Sequence, residues 1–165
     1  MTDTSKVVLR GTQVKKYFPV RSSVLGRAKK KVKAVDGVDI SLHEGEIYGL
    51  VGETGCGKST LGRTLACLTE PTGGSVEVLD QDMTAMKPRR LVEMRRQIQM
   101  VFQDPYTSLD PKQRVGDILT EALKIHKIGT RESRMDTALE IMEKVGLRLE
   151  HFYRYPHEFS GGQRQ

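Results

Sequence analysis

Two cysteines, Cys56 and Cys67, among 165 residues are too few for a disulfide framework or a metal knuckle, and a reduced cytosolic setting fits them best. Long apolar runs are also missing. Stretches such as IYGLVG fall far short of the ~20 residues that a spanning helix needs, so the chain is not expected to cross a membrane by itself. The opening MTDTSKVV is polar and lacks the apolar core of a secretory leader. No internal repeat is visible, and no low-complexity tract beyond one lysine run.

What is present suits a single domain with a real core. Apolar residues make up 37% and charged residues 29%, which argues for a soluble surface. The formal net charge of +6 points to an anionic partner without naming it. Much of the excess lies in RAKKKVK, Arg27 to Lys33. That run reads either as a solvated loop or as a patch for lipid headgroups or nucleic acid.

The pattern along the chain begins with strands. KVVLRGTQVKKYF (Lys6 to Phe18) alternates loosely up to Pro19, and VDISL places Val38, Ile40 and Leu42 on one face. After the turn HEGE, IYGLVG is apolar on both faces, as buried parallel strands are. A helix follows, with Leu61, Leu65 and Leu68 at helical spacing, expected to end before Pro71. SVEVL reads as another strand, Pro88 to Arg96 as a basic helix, and QIQMVF (Gln97 to Phe102) as a further strand. Two amphipathic helices come next. One carries Val115, Ile118, Leu119, Ala122 and His126; the other opens at Thr130, carries Met135, Ala138, Leu139, Met142 and Val145, and closes at Gly146. The layout is an α/β domain with an inserted or appended helical part.

GETGCGKST, Gly52 to Thr60, matches the phosphate-loop pattern G-x-x-x-x-G-K-[ST] at Gly52, Gly57, Lys58 and Ser59. Triphosphate oxygens need several main-chain N–H donors at one point, and glycines let the backbone come that close. The helix that follows turns its dipole and orphan N–H groups to the same anion. Glu53, Thr54, Gly55, Cys56 and Gly57 make the loop. Lys58 supplies a positive charge for the β- and γ-phosphates, Ser59 a hydroxyl for Mg²⁺, and Thr60 reaches the α-phosphate. Cys56 reads as a small spacer, with a redox-sensing thiol as its other reading.

Two more stretches identify a class. VFQDPYTSLDP puts Gln103 after a strand, and HEFSGGQRQ closes the helical block. A phosphate loop, a glutamine loop and Ser-Gly-Gly-Gln in that order resemble the nucleotide-binding domain of ATP-binding cassette (ABC) proteins, along essentially the whole chain. VKAVDGVDISLHEGEIYGLVGETGCGKST and FQDPYTSLDPKQRVGDILTEAL are similar to the branch that powers oligopeptide, dipeptide and nickel import, and Phe159, where most of the superfamily has leucine, fits that branch.

The resemblance implies a P-loop NTPase: a RecA-like core with an antiparallel β part over residues 1–103, and a helical subdomain over 104–165. It implies ATP and Mg²⁺ as cofactors. Lys58 and Gln103 take the catalytic roles, and Ser59 and Gln103 hold the metal. Ser160, Gly161, Gly162 and Gln163 become a signature helix start that caps the γ-phosphate held by a partner cassette. Phe18 stacks on adenine, with Tyr17 as the alternative. The implied partners are a second, different ABC ATPase subunit, two transmembrane permease subunits and, indirectly, an extracytoplasmic peptide-binding protein, with no nucleic acid. The implied location is peripheral, on the cytoplasmic face of the cell membrane. The activity expected of the complete protein is ATP hydrolysis driving peptide import. The alternatives are a soluble ABC ATPase of DNA repair or translation, or a non-catalytic nucleotide-binding remnant.

The family's acidic strand-borne Mg²⁺ site, catalytic glutamate and switch histidine have no counterpart here; His43, His126, His151 and His157 read as surface or packing residues. In the family the strands bearing those groups lie between the two apolar strands read above. Buried backbone groups left unpaired cost about 1–3 kcal/mol each, against a total stability of about 5–15 kcal/mol. The expectation is therefore a cassette incomplete at its C-terminus, which alone neither closes its fold nor hydrolyses ATP.

Overall fold

A computed structural model describes residues 6–20, 30–102, 104 and 108–164. The chain divides into two units, Met1–Met100 and Val101–Gln165.

The first unit is built on an antiparallel sheet of β1 (Val7–Pro19), β2 (Lys31–His43), β3 (Gly73–Val78) and β4 (Gln81–Asp82), in the order β2-β1-β3-β4. The clean alternation of Val38, Ile40 and Leu42 sets the register, opposite Val14, Gly11 and Leu9 of β1. A bulge interrupts β1, with Gln13 at a positive φ of 47° and its amide donating to Asp39 Oδ1 at 2.7 Å. Val14, Val35, Val76 and Val78 form the core with Leu61 and Leu65 of α1 (Lys58–Leu65), Met83, and Met94 of α2 (Pro88–Met94). The helix comes close at Gly11, where a Cβ would lie 2.9 Å from Leu65 Cδ2. Each buried Val or Leu contributes about 1.5–3 kcal/mol.

α1 is shorter than its leucine spacing predicts, and Leu68 lies outside it, half exposed. The stop is a Schellman turn: Cys67 takes a φ of +51°, its N–H donates to Thr64 O at 3.0 Å, and that of Leu68 donates to Arg63 O at 2.9 Å. Arg95 clamps the turn from the short 3-10 helix Arg95–Gln97 by donating to the Cys67 carbonyl at 3.0 Å.

The two apolar strands expected at 47–51 and 97–102 are not strands here. Ile47 is 99% exposed, Val51 92% and Val101 96%. Both segments have strand composition, but a strand exists only through its ladder, and among the described residues the one sheet is the antiparallel one.

The second unit holds α3 (Val115–Ile125), α4 (Arg131–Lys144), 3-10 turns at Leu149–Tyr153 and Pro156–Glu158, and α5 (Gly161–Arg164). Thr130 caps α4 as its sequence predicts, in a reciprocal box with Ser133, and Gly146 closes it at a φ of +75°. The buried stripe of α3 differs from the expected one. Gly116 and Thr120 are buried and Ala122 is exposed, because the Phe152 ring occupies the space a Cβ at Gly116 would need. Val115, Ile118 and Leu119 line instead an apolar groove of about 440 Å³, shared with Ile141, Met142 and Phe159.

Hydrogen exchange on the 165-residue chain checks this arrangement. Amides of residues 47–51 and 99–102 should exchange at near-unprotected rates, while those of Val14 and Val76 are slowed by orders of magnitude. Comparable protection in both sets would contradict it.

Candidate phosphate-binding site

Residues 52–57 run without regular structure into α1, and Gly57 is the N-cap at a φ of 102° and ψ of 2°. A side chain is excluded there twice over. The left-handed backbone disfavours it, and a Cβ would lie 2.1 Å from the carbonyl oxygen of Ala34 in β2. The loop is thus pressed backbone-to-backbone onto the sheet. With glycine as N-cap, no side chain caps α1, and its first turn holds no acidic residue. The first bond of that turn runs from Leu61 N–H to Gly57 O at 2.8 Å. The N–H groups ahead of Leu61 have no helical acceptor, which is the donor array an oxyanion requires.

Lys58 folds back over the loop. Its Nζ donates to Gly52 O at 2.7 Å and Glu53 O at 2.6 Å, with Cys56 Sγ at 3.7 Å. A Cβ on Gly52 would lie 2.9 Å from that sulfur, and Cys56 itself is exposed. Glu53, Thr54 and Gly55 are exposed, Ser59 is exposed and Thr60 half-buried. Below them Thr64, fully buried, donates its hydroxyl to Thr60 O at 2.7 Å. The Ser59 hydroxyl is the kind of oxygen donor that Mg²⁺ accepts. Among the described residues no three His, Cys, Asp or Glu side chains gather for a metal.

The two candidate aromatics part company. Tyr17 is engaged: its hydroxyl donates to Asp36 Oδ1, and Lys33 Nζ lies 5.4 Å from its ring centre. Phe18 is 41% exposed, with Lys16 Nζ at 5.3 Å from its ring centre. It pairs with Val32, two residues, or about 7 Å of strand, from the Ala34 carbonyl that meets the loop. The Tyr17 hydroxyl and then the Lys33 ammonium, at 2.9 Å, hold the Asp36 carboxyl below the usual range.

In the second unit, Ser160 opens α5. Its N–H donates to Gln163 Oε1 at 3.1 Å, and its Oγ accepts from Gln163 N–H at 3.4 Å. The S-x-x-Q spacing is a capping-box signature, a signal that the sequence reading used only as a helix start. Gly161 is half-buried, and a Cβ at Gly162 would meet nothing within 4 Å. Phe159 is buried against His151. Gln103, like residues 21–29 of the basic loop, lies outside the described residues. Sequence reasoning missed Ala34, whose role is a main-chain carbonyl and carries no side-chain signal, and Asp36.

Two outcomes test this geometry. Gly57→Ala should remove phosphate binding, measured by titration with a triphosphate, whereas Gly55→Ala, with open space around its Cβ, should cost only backbone strain of about 1–3 kcal/mol. Tyr17→Phe should raise the Asp36 pKa toward the ordinary carboxylate value in an NMR titration. Because that pKa is depressed in the fold, its contribution to stability is present above the unfolded carboxylate pKa and is lost as pH falls through the folded one.

Comparison with known proteins gives the family. The family model described as ABC transporter matches residues 35–165. The chain is 46% identical to the dipeptide transport ATP-binding protein DppF of Escherichia coli K12 over 158 residues, covering 96% of this chain and 47% of that protein. It is 46% identical to the oligopeptide transport ATP-binding protein AppF of Bacillus subtilis 168 over 161 residues, 97% of this chain and 49% of that protein. The chain therefore spans about half the length of these relatives. Among solved structures, the dimeric post-hydrolysis state of the ATP-binding cassette MJ0796 bound to ADP and Pi superposes with a TM-score of 0.77 at 26% identity, over 94% of this chain and 65% of that one. The fold is the α/β fold of P-loop NTPases, and the chain belongs to the ABC transporter family.

Proposed function

We propose that this chain supplies the nucleotide-gripping part of an ATPase subunit that energises import of dipeptides or oligopeptides across the cell membrane. The observation that carries the reading is the open helix start at Gly57 with Lys58 folded over the loop. The names of DppF and AppF support the cargo class. No helix among the described residues is long and apolar enough to cross a membrane. In the proposed assembly the subunit is peripheral and works on separate permease subunits, beside a second ATPase subunit.

In this mechanism the ammonium of Lys58 exchanges the carbonyls of Gly52 and Glu53 for β- and γ-phosphate oxygens, and the α1 amides bind the same group. Ser59 and Gln103 would hold Mg²⁺, which would supply charge neutralisation for the transferring phosphate. Gln103 also orients the attacking water. Phe18 stacks on the adenine. Ser160, Gly161, Gly162 and Gln163 cap the γ-phosphate held by the partner subunit, so two chains close around nucleotide and part after hydrolysis.

Lys58→Ala in the assembled transporter should weaken nucleotide binding about a hundred-fold, as expected for losing charge-assisted bonds of about 1.5–3 kcal/mol, and should abolish peptide uptake. Unchanged ATP turnover would overturn the site. Phe18→Ala should weaken ATP binding about ten-fold, since base stacking is worth about 1–3 kcal/mol. Tyr17→Ala should leave binding within about two-fold, since stacking rather than the Asp36 contact is what binding reads; the reverse pattern would move the stacking role to Tyr17.

A further inference from the structure

His151 is the one buried histidine among the described residues, and the mechanism above does not use it. Its Nδ1 accepts the Arg148 N–H at 3.2 Å. An amide can only donate, so the neutral ring carries its proton on Nε2, which lies 3.9 Å from Glu150 Oε1. That one bond fixes the ring plane. Held so, the imidazole meets the Phe159 ring edge-on, with centres 5.1 Å apart and planes at 68°. Both side chains are at least nine-tenths buried. The turn bearing His151 is itself tied down: Arg154 N–H donates to His151 O at 3.2 Å, and Val115 N–H of α3 donates to Arg154 O at 2.9 Å. Phe159 in turn immediately precedes Ser160, the cap of α5.

We propose that His151 is a positioning residue for the signature helix start: its ring fixes Phe159, and Phe159 fixes the direction in which Ser160 and the α5 amides face. The two contacts of the imidazole divide the labour. The acceptor nitrogen stabilises the turn at Leu149–Tyr153, and the ring surface sets the signature. This rests on the ATPase reading, in which Ser160 serves nucleotide held by another subunit.

The test uses two variants in the assembled transporter, followed by ATP turnover and thermal melting. His151→Asn keeps an acceptor for the Arg148 amide and removes the ring; it should lower kcat at least ten-fold with KM for ATP within two-fold and little change in melting. His151→Phe keeps a ring against Phe159 and leaves that amide unpaired; it should lower the melting temperature while retaining at least half of kcat. In a Phe159→Leu background, His151→Asn should change kcat less than two-fold further, as coupling through one residue requires. If kcat follows melting in both variants, or the Asn and Leu effects multiply, the inference is overturned. Should the Asn variant not fold, the Phe variant alone decides by the same criterion. Ser160→Phe separates the two readings: if it leaves turnover intact the signature role itself fails, whereas its loss with active His151 variants sinks only the positioning role.

Discussion

The contact on which the site depends is between two backbones, the carbonyl of Ala34 and the Cα of Gly57. It pins the start of α1 to the antiparallel sheet at a place where no side chain fits, and so leaves the helix start without a cap. An uncapped helix start is a cost in ordinary proteins, where a Ser or Asp cap is worth about 1 kcal/mol. Here it keeps the donors free for an anion. The sheet contributes rigidity rather than chemistry: Val14, Val35 and Val76 hold β1, β2 and β3 together, and the position of Ala34 follows from that packing.

Much of this was legible in the sequence, and the failures share a cause. The glycine spacing of the loop, the alternation in β2, the Thr130 cap and the Gly146 stop each act through a local preference that a residue carries with it. Two other helix stops gave no warning. Cys67 and Lys127 adopt the left-handed conformation that glycine takes at Gly146, with Leu68 and Ile128 N–H groups donating back to Arg63 and Leu123 carbonyls. Their φ values are imposed by those bonds and, for Cys67, by burial and the clamp from Arg95, which sequence patterns do not display. The α3 stripe failed for the same reason, since Phe152 claims Gly116 from a distant part of the chain.

The segments at 47–51 and 98–102 show the opposite limit. Their composition predicts buried strands, yet neither pairs in a sheet, and Ile47, Val51 and Val101 stand almost fully exposed while Ile98 only packs partly against the core. Propensity for a strand is a fit to a pleated, half-buried surface supplied by others, so apolar content alone cannot create one. β1 succeeds where they do not because it has partners on both sides, β2 and β3.

The two helix starts of the proposed site are satisfied in different ways, and this bears on how each can respond to nucleotide. At α1 the anion position is open, while Lys58 holds two carbonyls of its own loop. At α5 the Ser160 and Gln163 side chains close a box on each other's backbone. The α1 amides are open to an anion, but Lys58 and Ser160 each already have a partner within a few residues, so at those two groups nucleotide in the proposed site must replace a bond rather than fill a vacancy. The net gain per bond is then about 0.5–1.5 kcal/mol for a neutral donor and about 1.5–3 kcal/mol for a charged one. In the proposed site this weights affinity toward Lys58, whose ammonium would exchange neutral carbonyls for charged oxygens. The α5 box, neutral on both sides, gains less from any single bond, and its contribution depends on several donors being aimed together. Orientation therefore matters more at Ser160 than at Lys58.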